Sequence, residues 1–371
     1  PKRDKTSIPG LSVSKSESLP ITTATDGSVS AFAEVKIFCS GFIINNDWTI
    51  NLLHKSLLTP HMRTISNVRL PSPEIRAAEE PLWSLLVQED GVIQSISPQH
   101  EEDHTIAGEN WGGDYISPMG VDLQINGGLG ISFYDLKAQD LPRILDLLDL
   151  LWVDGVEAIC PTFVSCDQFS LRRGLEFLRI ARTYNSSNRC ELLGAHLEGP
   201  FLATERRGAH SLDFIRSPSV NNLEKLIEGF ENEISIVTIA PELPNAFEVI
   251  EKLKMLGIVV SLGHSSANAN ISKIAFEKGI TMLTHTFNAM PGLGHREPGP
   301  IGEAIHKGDI AMGLIADGIH VHPKICNLLM KIASHQLVLV SDVISSYGLS
   351  DGEYQWDTRT VISSQGVCRL K

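Results

Sequence analysis

The 371-residue chain lacks several features that would assign it to common structural classes. Its six cysteines are scattered and form no C-x-x-C pair, which argues against a disulfide framework or a cysteine zinc site. No run of about 18 apolar residues is present, so no transmembrane helix is predicted. The first residues also lack the apolar segment of a secretory signal. These absences predict a cytoplasmic protein without a membrane partner.

Basic charge is scarce, because 31 lysines and arginines stand against 44 aspartates and glutamates, for a net charge of -13. This balance argues against nonspecific binding of nucleic acid, yet a few local cations can still dominate a pocket for an anionic small molecule. No glycine-rich phosphate loop opens the first predicted helix, which counts against a dinucleotide-binding sheet. A small-molecule ligand therefore remains open, and a nucleic-acid partner is not expected.

Hydrophobic patterning divides the rest of the chain. Residues 1–29 are polar and aperiodic, which predicts a disordered tail. Residues 30–115 contain strand-like stretches (34–50 among them) and a hairpin turn at Glu89-Asp90-Gly91, which predict a small β domain. Residues 116–360 alternate strands with helices, which favours a (β/α)8 TIM-type barrel over another α/β fold. The strand candidates are 120–125, 157–163, 192–197, 234–240, 258–262, 281–286, 311–316 and 337–341.

Helix boundaries are also marked in this region. Asn245 followed by Glu248 resembles a capping box, and Gly257 ends the same pattern. Pro323 is expected to open a later helix.

Polar and ionisable residues follow six of the eight strand candidates. In a barrel, the carboxyl ends of the strands meet on one face, where catalytic groups collect. Burying so many ionisable groups together would be costly without a metal or a substrate. The residues at these ends are Asp122, Gln124, Asn126, His196, Glu198, His264, His285, Asn288, Asp317, His320 and Asp342.

Within this set, one carboxylate and two imidazoles suit a catalytic divalent metal. Glu198, His264 and His285 would supply three ligands and leave a position for water, as in zinc or another first-row metal site. Asp342, on a separate strand, would accept a proton from water and return it to a leaving amine. The competing interpretation of Asp342 is a helix cap. His196 beside Glu198 would support the ligand.

A Gly/Pro-rich loop, NAMPGLGHREPGP, follows His285 and carries Arg296. Either it is an ordinary surface loop, or it binds substrate, with the guanidinium suited to an anionic group such as phosphate.

Eight motifs then resemble one known family. VDLQINGG, HLEGPF, RRGAH, GHSSAN, THTFNAM, HREPG, IADGIHV and LVSDVI occur in the order found in N-acetylglucosamine-6-phosphate deacetylases of the amidohydrolase superfamily. The resemblance implies a metal-dependent barrel with a small β-sandwich. It also implies hydrolysis of N-acetylglucosamine 6-phosphate to glucosamine 6-phosphate and acetate, in amino-sugar catabolism or recycling.

The resemblance also implies roles for single residues. Glu198, His264 and His285 would hold the metal, with zinc first and iron, cobalt or manganese as alternatives, and Asp342 would be the acid/base. Gln124 and Asn126 stand where many superfamily members have a His-x-His pair, which favours a single ion. The implied substrate-binding residues are Ala209, His210, Asn288, Ala289, Arg296 and His320, with Gln124, His196 and Asp317 orienting them. Arg296 would reach the phosphate of the neighbouring subunit, which implies a homodimer.

The chain departs from the family pattern at its end. It stops at SQGVCRLK, where the family continues into further helices and strands. Residues 361–371 are therefore expected to begin a shortened C-terminal segment, with an incomplete sandwich and impaired turnover. Two alternatives remain open. One is a catalytically impaired sugar-phosphate-binding protein, and the other is an amidohydrolase acting on a cyclic amide, against which the missing His-x-His pair and the Arg296 loop count.

Overall fold

The computed structural model describes residues 11–14, 62–71, 81–99, 108–356 and 359–371. These residues fall into two compact units, and the chain passes from the smaller to the larger at Gly120 and Val121. Most of the predicted tail and the strand-like stretch 34–50 lie outside the described residues. Leu11–Ser14 lies within the predicted tail, but it forms a strand there. Its alternation of Leu and Val with Ser has the period of a strand, which a composition argument overlooks.

The smaller unit contains one five-stranded sheet. Its strands, in the order β1-β5-β2-β3-β4, are β1 (Leu11–Ser14), β2 (Arg63–Arg69), β3 (Trp83–Val87), β4 (Ile93–Pro98) and β5 (Glu109–Pro118). The predicted hairpin is confirmed, since β3 and β4 pair antiparallel and the Asp90 carboxylate accepts a hydrogen bond of 3.0 Å from the Val92 N–H. No second sheet is described in this unit, so the implied sandwich and the domain boundaries stay predictions.

The larger unit is an eight-stranded parallel barrel surrounded by helices. Its barrel strands are β6 (Gly120–Ile125), β9 (Val156–Val164), β11 (Ala195–Glu198), β12 (Ile234–Ile239), β13 (Val259–Leu262), β14 (Ile280–Leu283), β15 (Ala311–Leu314) and β16 (Leu337–Leu339). Short strands β7 (Gly127–Gly128), β8 (Ile131–Ser132) and β10 (Glu191–Leu192) lie between them. All eight strand candidates are thus confirmed.

Seven α-helices cover this barrel in the described residues. They are α1 (Leu141–Val153), α2 (Gln168–Ala181), α3 (Val220–Ile227), α4 (Ala246–Met255), α5 (Ala269–Lys278), α6 (Gly299–Lys307) and α7 (Pro323–Ala333). Ile144, Leu175, Leu253 and Ile301 of four of them are fully buried in one apolar cluster with the strands. Each such side chain contributes about 1.5–3 kcal/mol by leaving water. None of these helices is long and apolar enough to cross a membrane.

The barrel is nearly closed between its first and last strands. β16 and β6 do not share a regular ladder, but the Asp342 N–H donates to the Gln124 carbonyl and the Asn126 N–H to the Val343 carbonyl, both at 2.8 Å. The closing bonds therefore involve the same residues whose side chains enter the candidate site.

Two local features differ from the expectation. Asn245 does precede α4, but its backbone is left-handed (φ 65°) and its side chain caps nothing, so the predicted capping box is wrong. Asparagine tolerates this conformation, in which its side chain cannot reach the first helical N–H groups.

After β16, the described residues form no helix. They form a three-stranded antiparallel sheet of β17 (Gly352–Trp356), β18 (Arg359–Ser364) and β19 (Val367–Leu370).

Candidate active site

The predicted ligands meet at the carboxyl end of the barrel. Glu198 is the last residue of β11, and His264 and His285 each follow their strand by two residues. All three side chains are buried. His264 and His285 have positive φ angles of 48° and 30°, a conformation that costs about 1–3 kcal/mol per residue and persists only where surrounding contacts enforce it.

Three donor atoms form a nearly equilateral triangle. Glu198 Oε1 lies 3.1 Å from His264 Nε2 and 2.9 Å from His285 Nε2, and the two Nε2 atoms are 3.0 Å apart. Ligands about 2.0–2.2 Å from a tetrahedral zinc ion lie roughly 3.3 Å from one another. The triangle therefore has the size of one face of such a coordination sphere.

The position of the proton on the His264 ring leaves Nε2 available to bind a cation. Its Nδ1 lies 2.8 Å from the Arg206 carbonyl, which can only accept, so Nδ1 carries the proton and Nε2 presents a lone pair. A lone pair that faces the Glu198 carboxylate at 3.1 Å requires positive charge nearby. Metal-binding histidines commonly donate their other ring N–H to a backbone carbonyl in this way.

His210 lies beside the triangle but presents the opposite chemistry. Its Nε2 is 3.6 Å from Glu198 Oε2, so Glu198, His210 and His264 also form a compact group of possible ligands. However, His210 Nδ1 accepts a hydrogen bond of 3.1 Å from the Ser165 N–H. The ring proton of neutral His210 is therefore on Nε2, which makes this atom a donor facing the site and leaves His285 the better third ligand.

Burial and mutual contacts set the charges in this cluster. Burial alone would raise the pKa of Glu198, but its contacts with the imidazoles of His210, His264 and His285 hold that pKa well below its usual value. Burial would lower the pKa of His285, yet the hydrogen bond and charge of Glu198 raise it to about 9. Without a metal, a proton on His285 thus supplies the positive charge that the carboxylate requires.

Asp342 joins the cluster through two amide side chains. Gln124 Nε2 donates to both Glu198 Oε1 and Asp342 Oδ1 at 3.1 Å, and Asn126 Nδ2 donates to Asp342 Oδ1 at 2.7 Å. Loss of water around the Asp342 carboxyl and the nearby Glu198 charge raise its pKa to about 7. A carboxyl group with a pKa near neutrality is suited to accept and return a proton. Gln124 Oε1 and Asn126 Oδ1 are buried without a partner among the described residues.

The sequence of this chain is similar to the sequences of known deacetylases. No family model matches the chain. N-acetylglucosamine-6-phosphate deacetylase of Danio rerio is 35% identical over 286 residues, which cover 74% of this chain and 69% of that protein. The chain belongs to the N-acetylglucosamine-6-phosphate deacetylase family. N-acetylgalactosamine-6-phosphate deacetylase of Escherichia coli O157:H7 is 32% identical over 282 residues, which cover 76% of this chain and 72% of that protein.

A solved structure of the family shares the fold. N-acetyl-D-glucosamine-6-phosphate deacetylase of Mycobacterium smegmatis, in complex with N-acetyl-D-glucosamine-6-phosphate, superposes with a TM-score of 0.69 at 26% identity, covering 83% of this chain and 78% of that chain. The barrel prediction is thereby confirmed. Across four animal members, the match to this chain spans 61–69% of their own length.

The other predicted residues make their hydrogen bonds away from the three donor atoms of Glu198, His264 and His285. Asp317 and His320 are exposed and bond to each other, with 2.7 Å between Asp317 Oδ2 and His320 Nδ1. Arg296 is exposed and has no hydrogen bond or ion pair with any described residue. Ala209 and Asn288 are half-buried, and Ala289 accepts a hydrogen bond of 3.1 Å from the Ser265 N–H through its carbonyl.

Several residues that contact the proposed ligands or the loops beside them were not predicted from the sequence. Glu242 follows β12, and its carboxylate accepts hydrogen bonds from Ser265 Oγ at 2.6 Å and the Ser266 N–H at 2.5 Å. Both partners directly follow His264. Glu242 lies three residues past the end of β12, so the rule applied to the other strand ends would have found it. Ser165, which fixes the proton of His210, directly follows β9, so the same rule would have found it. The Arg206 group that fixes the proton of His264 is a backbone carbonyl, which has no side-chain signal in the sequence.

The charges of this cluster predict a pH-dependent metal affinity. Below its pKa of about 9, His285 is protonated in the metal-free protein, and an incoming ion must displace that proton. We expect the apparent affinity for Co²⁺ to rise about tenfold per pH unit from neutrality towards pH 9 and to level off above it. Competition with a chromophoric chelator at several pH values measures this slope.

As the matched variant, Glu198→Gln removes a ligand charge and also the cause of the high His285 pKa. It should bind Co²⁺ weakly, with a shallower pH slope. An affinity of the unsubstituted protein that does not change with pH would contradict the assigned protonation of His285.

Proposed function

We propose that this chain hydrolyses the acetamide bond of N-acetylglucosamine 6-phosphate and releases glucosamine 6-phosphate and acetate, in amino-sugar catabolism or recycling. The observation that carries the proposal is the triangle of Glu198, His264 and His285 donor atoms directly beside Asp342, in a chain of this family. Zinc is the first candidate for the ion, because two imidazoles and one carboxylate are ligands it favours, with iron, cobalt and manganese as alternatives.

When bound, such an ion polarises a carbonyl group and makes water more acidic. The residues of the chain supply the proton transfers. Asp342 takes a proton from the water whose oxygen forms the new bond to the acetyl carbon. As the C–N bond breaks, Asp342 returns that proton to the leaving nitrogen, so acetate and the free amine are formed. Its pKa near neutrality serves both steps.

Two further side chains prepare this reaction. His210 carries its proton on Nε2, so it donates a hydrogen bond to the acetamide oxygen, where negative charge develops. Gln124 holds the Asp342 and Glu198 carboxylates at a fixed separation through its single amide nitrogen. Asp342 therefore stays close to the three donor atoms, and the two amides that contact it, Gln124 and Asn126, carry no charge.

The phosphorylated sugar is assigned to residues outside the triangle. Ala209, Asn288, Ala289 and His320 are assigned to the sugar phosphate, and Arg296 is an exposed guanidinium without an internal partner among the described residues. A free arginine matches a phosphate by bidentate hydrogen bonding. We assign Arg296 to the phosphate bound by a second copy of the chain, which makes the active form a homodimer. The cytoplasmic location stays a prediction.

A second candidate substrate is the C4 epimer, N-acetylgalactosamine 6-phosphate. The relative from Escherichia coli O157:H7 carries that name at 32% identity. Its acetamide and phosphate are the same groups, so the proposed metal site and Asp342 would act on it without change. Only contacts to the sugar hydroxyls distinguish the two.

Metal analysis combined with an acetate-release assay tests the proposal. The purified protein should contain about one divalent ion per chain and release acetate from N-acetylglucosamine 6-phosphate faster than from its epimer or the unphosphorylated sugar. Faster release from the epimer would favour the second candidate. A bound metal and retained sugar-phosphate binding without acetate release would favour the binding protein and contradict hydrolysis.

Replacement of Asp342 by Asn should remove turnover and leave the metal in place. The change keeps the shape of the side chain but removes the proton acceptor, and general acid–base groups contribute about 10²–10⁴-fold to rates. Kcat for acetate release and metal content are the two measurements. Asp146→Asn, an exposed change on α1, serves as the control and should leave both unaltered. Turnover that survives in D342N would show that Asp342 is not the base.

Replacement of Arg296 by Ala should raise KM for the phosphorylated sugar roughly 10–100-fold, because charged hydrogen bonds are worth about 1.5–3 kcal/mol. Activity on the unphosphorylated sugar should not change. Arg143→Ala, an exposed arginine on α1, is the control. Equal losses on both sugars would contradict the assignment of Arg296 to phosphate.

A further inference from the structure

A chain of hydrogen bonds crosses the barrel interior directly beneath the proposed metal ligands. His196 Nδ1 lies 3.0 Å from the Leu123 carbonyl, and its Nε2 lies 2.7 Å from Thr238 Oγ1. Thr238 Oγ1 is 2.7 Å from Thr284 Oγ1, which is 2.6 Å from Ser261 Oγ. The Leu123 carbonyl and these four side chains are called the hydroxyl chain, and all four side chains are fully buried, with 0% exposure.

The direction of every bond in this hydroxyl chain follows from one end. The Leu123 carbonyl can only accept, so His196 donates from Nδ1. Both partners of the ring are neutral groups and the ring is fully buried, so the ring is neutral and its Nε2 accepts from the Thr238 hydroxyl. With its only proton used, Thr238 accepts from Thr284, and Thr284 accepts from Ser261.

The hydroxyl chain links the strands that carry the site. Leu123, His196, Thr238 and Ser261 belong to β6, β11, β12 and β13, and Thr284 directly follows β14. Four of these five residues lie close in sequence to a site residue. Thr284 immediately precedes His285, His196 is two residues before Glu198, and Ser261 is three residues before His264. Leu123 immediately precedes Gln124.

Close packing leaves these hydroxyl groups little freedom. A Cβ added to Gly263 would lie 2.7 Å from Thr284 Cβ and 2.8 Å from Thr238 Cγ2. The absence of a side chain at Gly263, the residue before His264, is therefore what lets the two threonines approach. A rotation of either threonine side chain would lose a hydrogen bond of the hydroxyl chain.

From these contacts we propose that Thr238, Ser261 and Thr284 are positioning residues, which act through one directional chain of hydroxyls to hold Glu198, His264 and His285 at metal-binding distances. The assignment of those three as ligands rests on the proposed function. A hydrogen bond is short and directional, so it fixes the relative height of neighbouring strands more sharply than apolar contacts of the same area. His196 transmits this constraint to β6 and thereby to Gln124.

Replacement of Thr284 by Val tests the proposal, because valine keeps the shape and breaks the chain at its centre. We expect a loss of Co²⁺ or Zn²⁺ affinity of about 10–100-fold, the effect typical of residues that support metal ligands. Thr284→Ser retains the hydroxyl and should restore most of the affinity. Ser261→Ala removes only the terminal donor and should show a smaller loss of metal affinity. If T284V does not fold, S261A still tests the proposal.

Ser272→Ala is the matched control for Ser261→Ala. Ser272 is equally buried, on α5, and its hydroxyl donates a hydrogen bond of 2.8 Å to the Asn268 carbonyl, but it is outside the hydroxyl chain. It should lower thermal stability as S261A does and leave metal affinity unchanged. An equal loss of affinity in S261A and S272A, or an unchanged affinity in T284V, would overturn the proposal.

Imidazole NMR of the metal-free protein separates this proposal from the proposed function. T284V should shift the ring resonances of His264 and His285, and S272A should not. A protein that takes up no metal but shows this difference would refute the metal site and support the hydroxyl chain. Ring resonances that are identical in T284V and the unsubstituted protein would refute the hydroxyl chain, whatever the metal content.

Discussion

The contact of the Glu198 carboxylate with two facing imidazole nitrogens is the interaction on which the rest of the site depends. A charged carboxylate inside a barrel is costly unless every neighbour compensates it. Here His264 and His285 approach one oxygen at 3.1 and 2.9 Å, and Gln124 donates to the same atom. His264 is itself held by the Arg206 carbonyl and Gln124 by Asp342, so the cluster requires a scaffold that places several strand ends within a fraction of an ångström.

The barrel provides that scaffold at some cost to its own backbone. His264, His285 and Asp342 have left-handed φ angles of 48°, 30° and 51°, which turn their side chains inward immediately after each strand. Such conformations are unfavourable for residues other than glycine and persist where surrounding contacts exceed their cost. Apolar packing between strands and helices provides most of the stabilising free energy, and the hydroxyl chain beneath the site orients the residues that follow the strands.

The sequence predicted which residues meet because their positions follow from topology. In a parallel barrel, every residue just past a strand faces the same end, so Glu198, His264, His285 and Asp342 were found without three-dimensional information. Which histidine is a donor and which offers a lone pair could not be predicted in this way. That distinction depends on Ser165 and Arg206, which lie 45 and 58 residues from the rings they contact. Asn245 failed as a predicted cap for a similar reason, since its side chain role depends on a backbone angle that its identity does not set.

The amides at the first strand end support the proposal of a single ion. Glu198 and Asp342 are the two carboxylates of the cluster, and in the proposed site one divalent ion would balance both, with the histidines as neutral ligands. Gln124 and Asn126 direct N–H groups rather than lone pairs at these carboxylates. A second divalent ion beside them would face these donors and leave two uncompensated positive charges in a buried site, which the low local polarity strongly disfavours. With amides in place of a His-x-His pair, the first strand offers no imidazole ligands for a second ion, and its side chains instead hold Asp342 in place by hydrogen bonds.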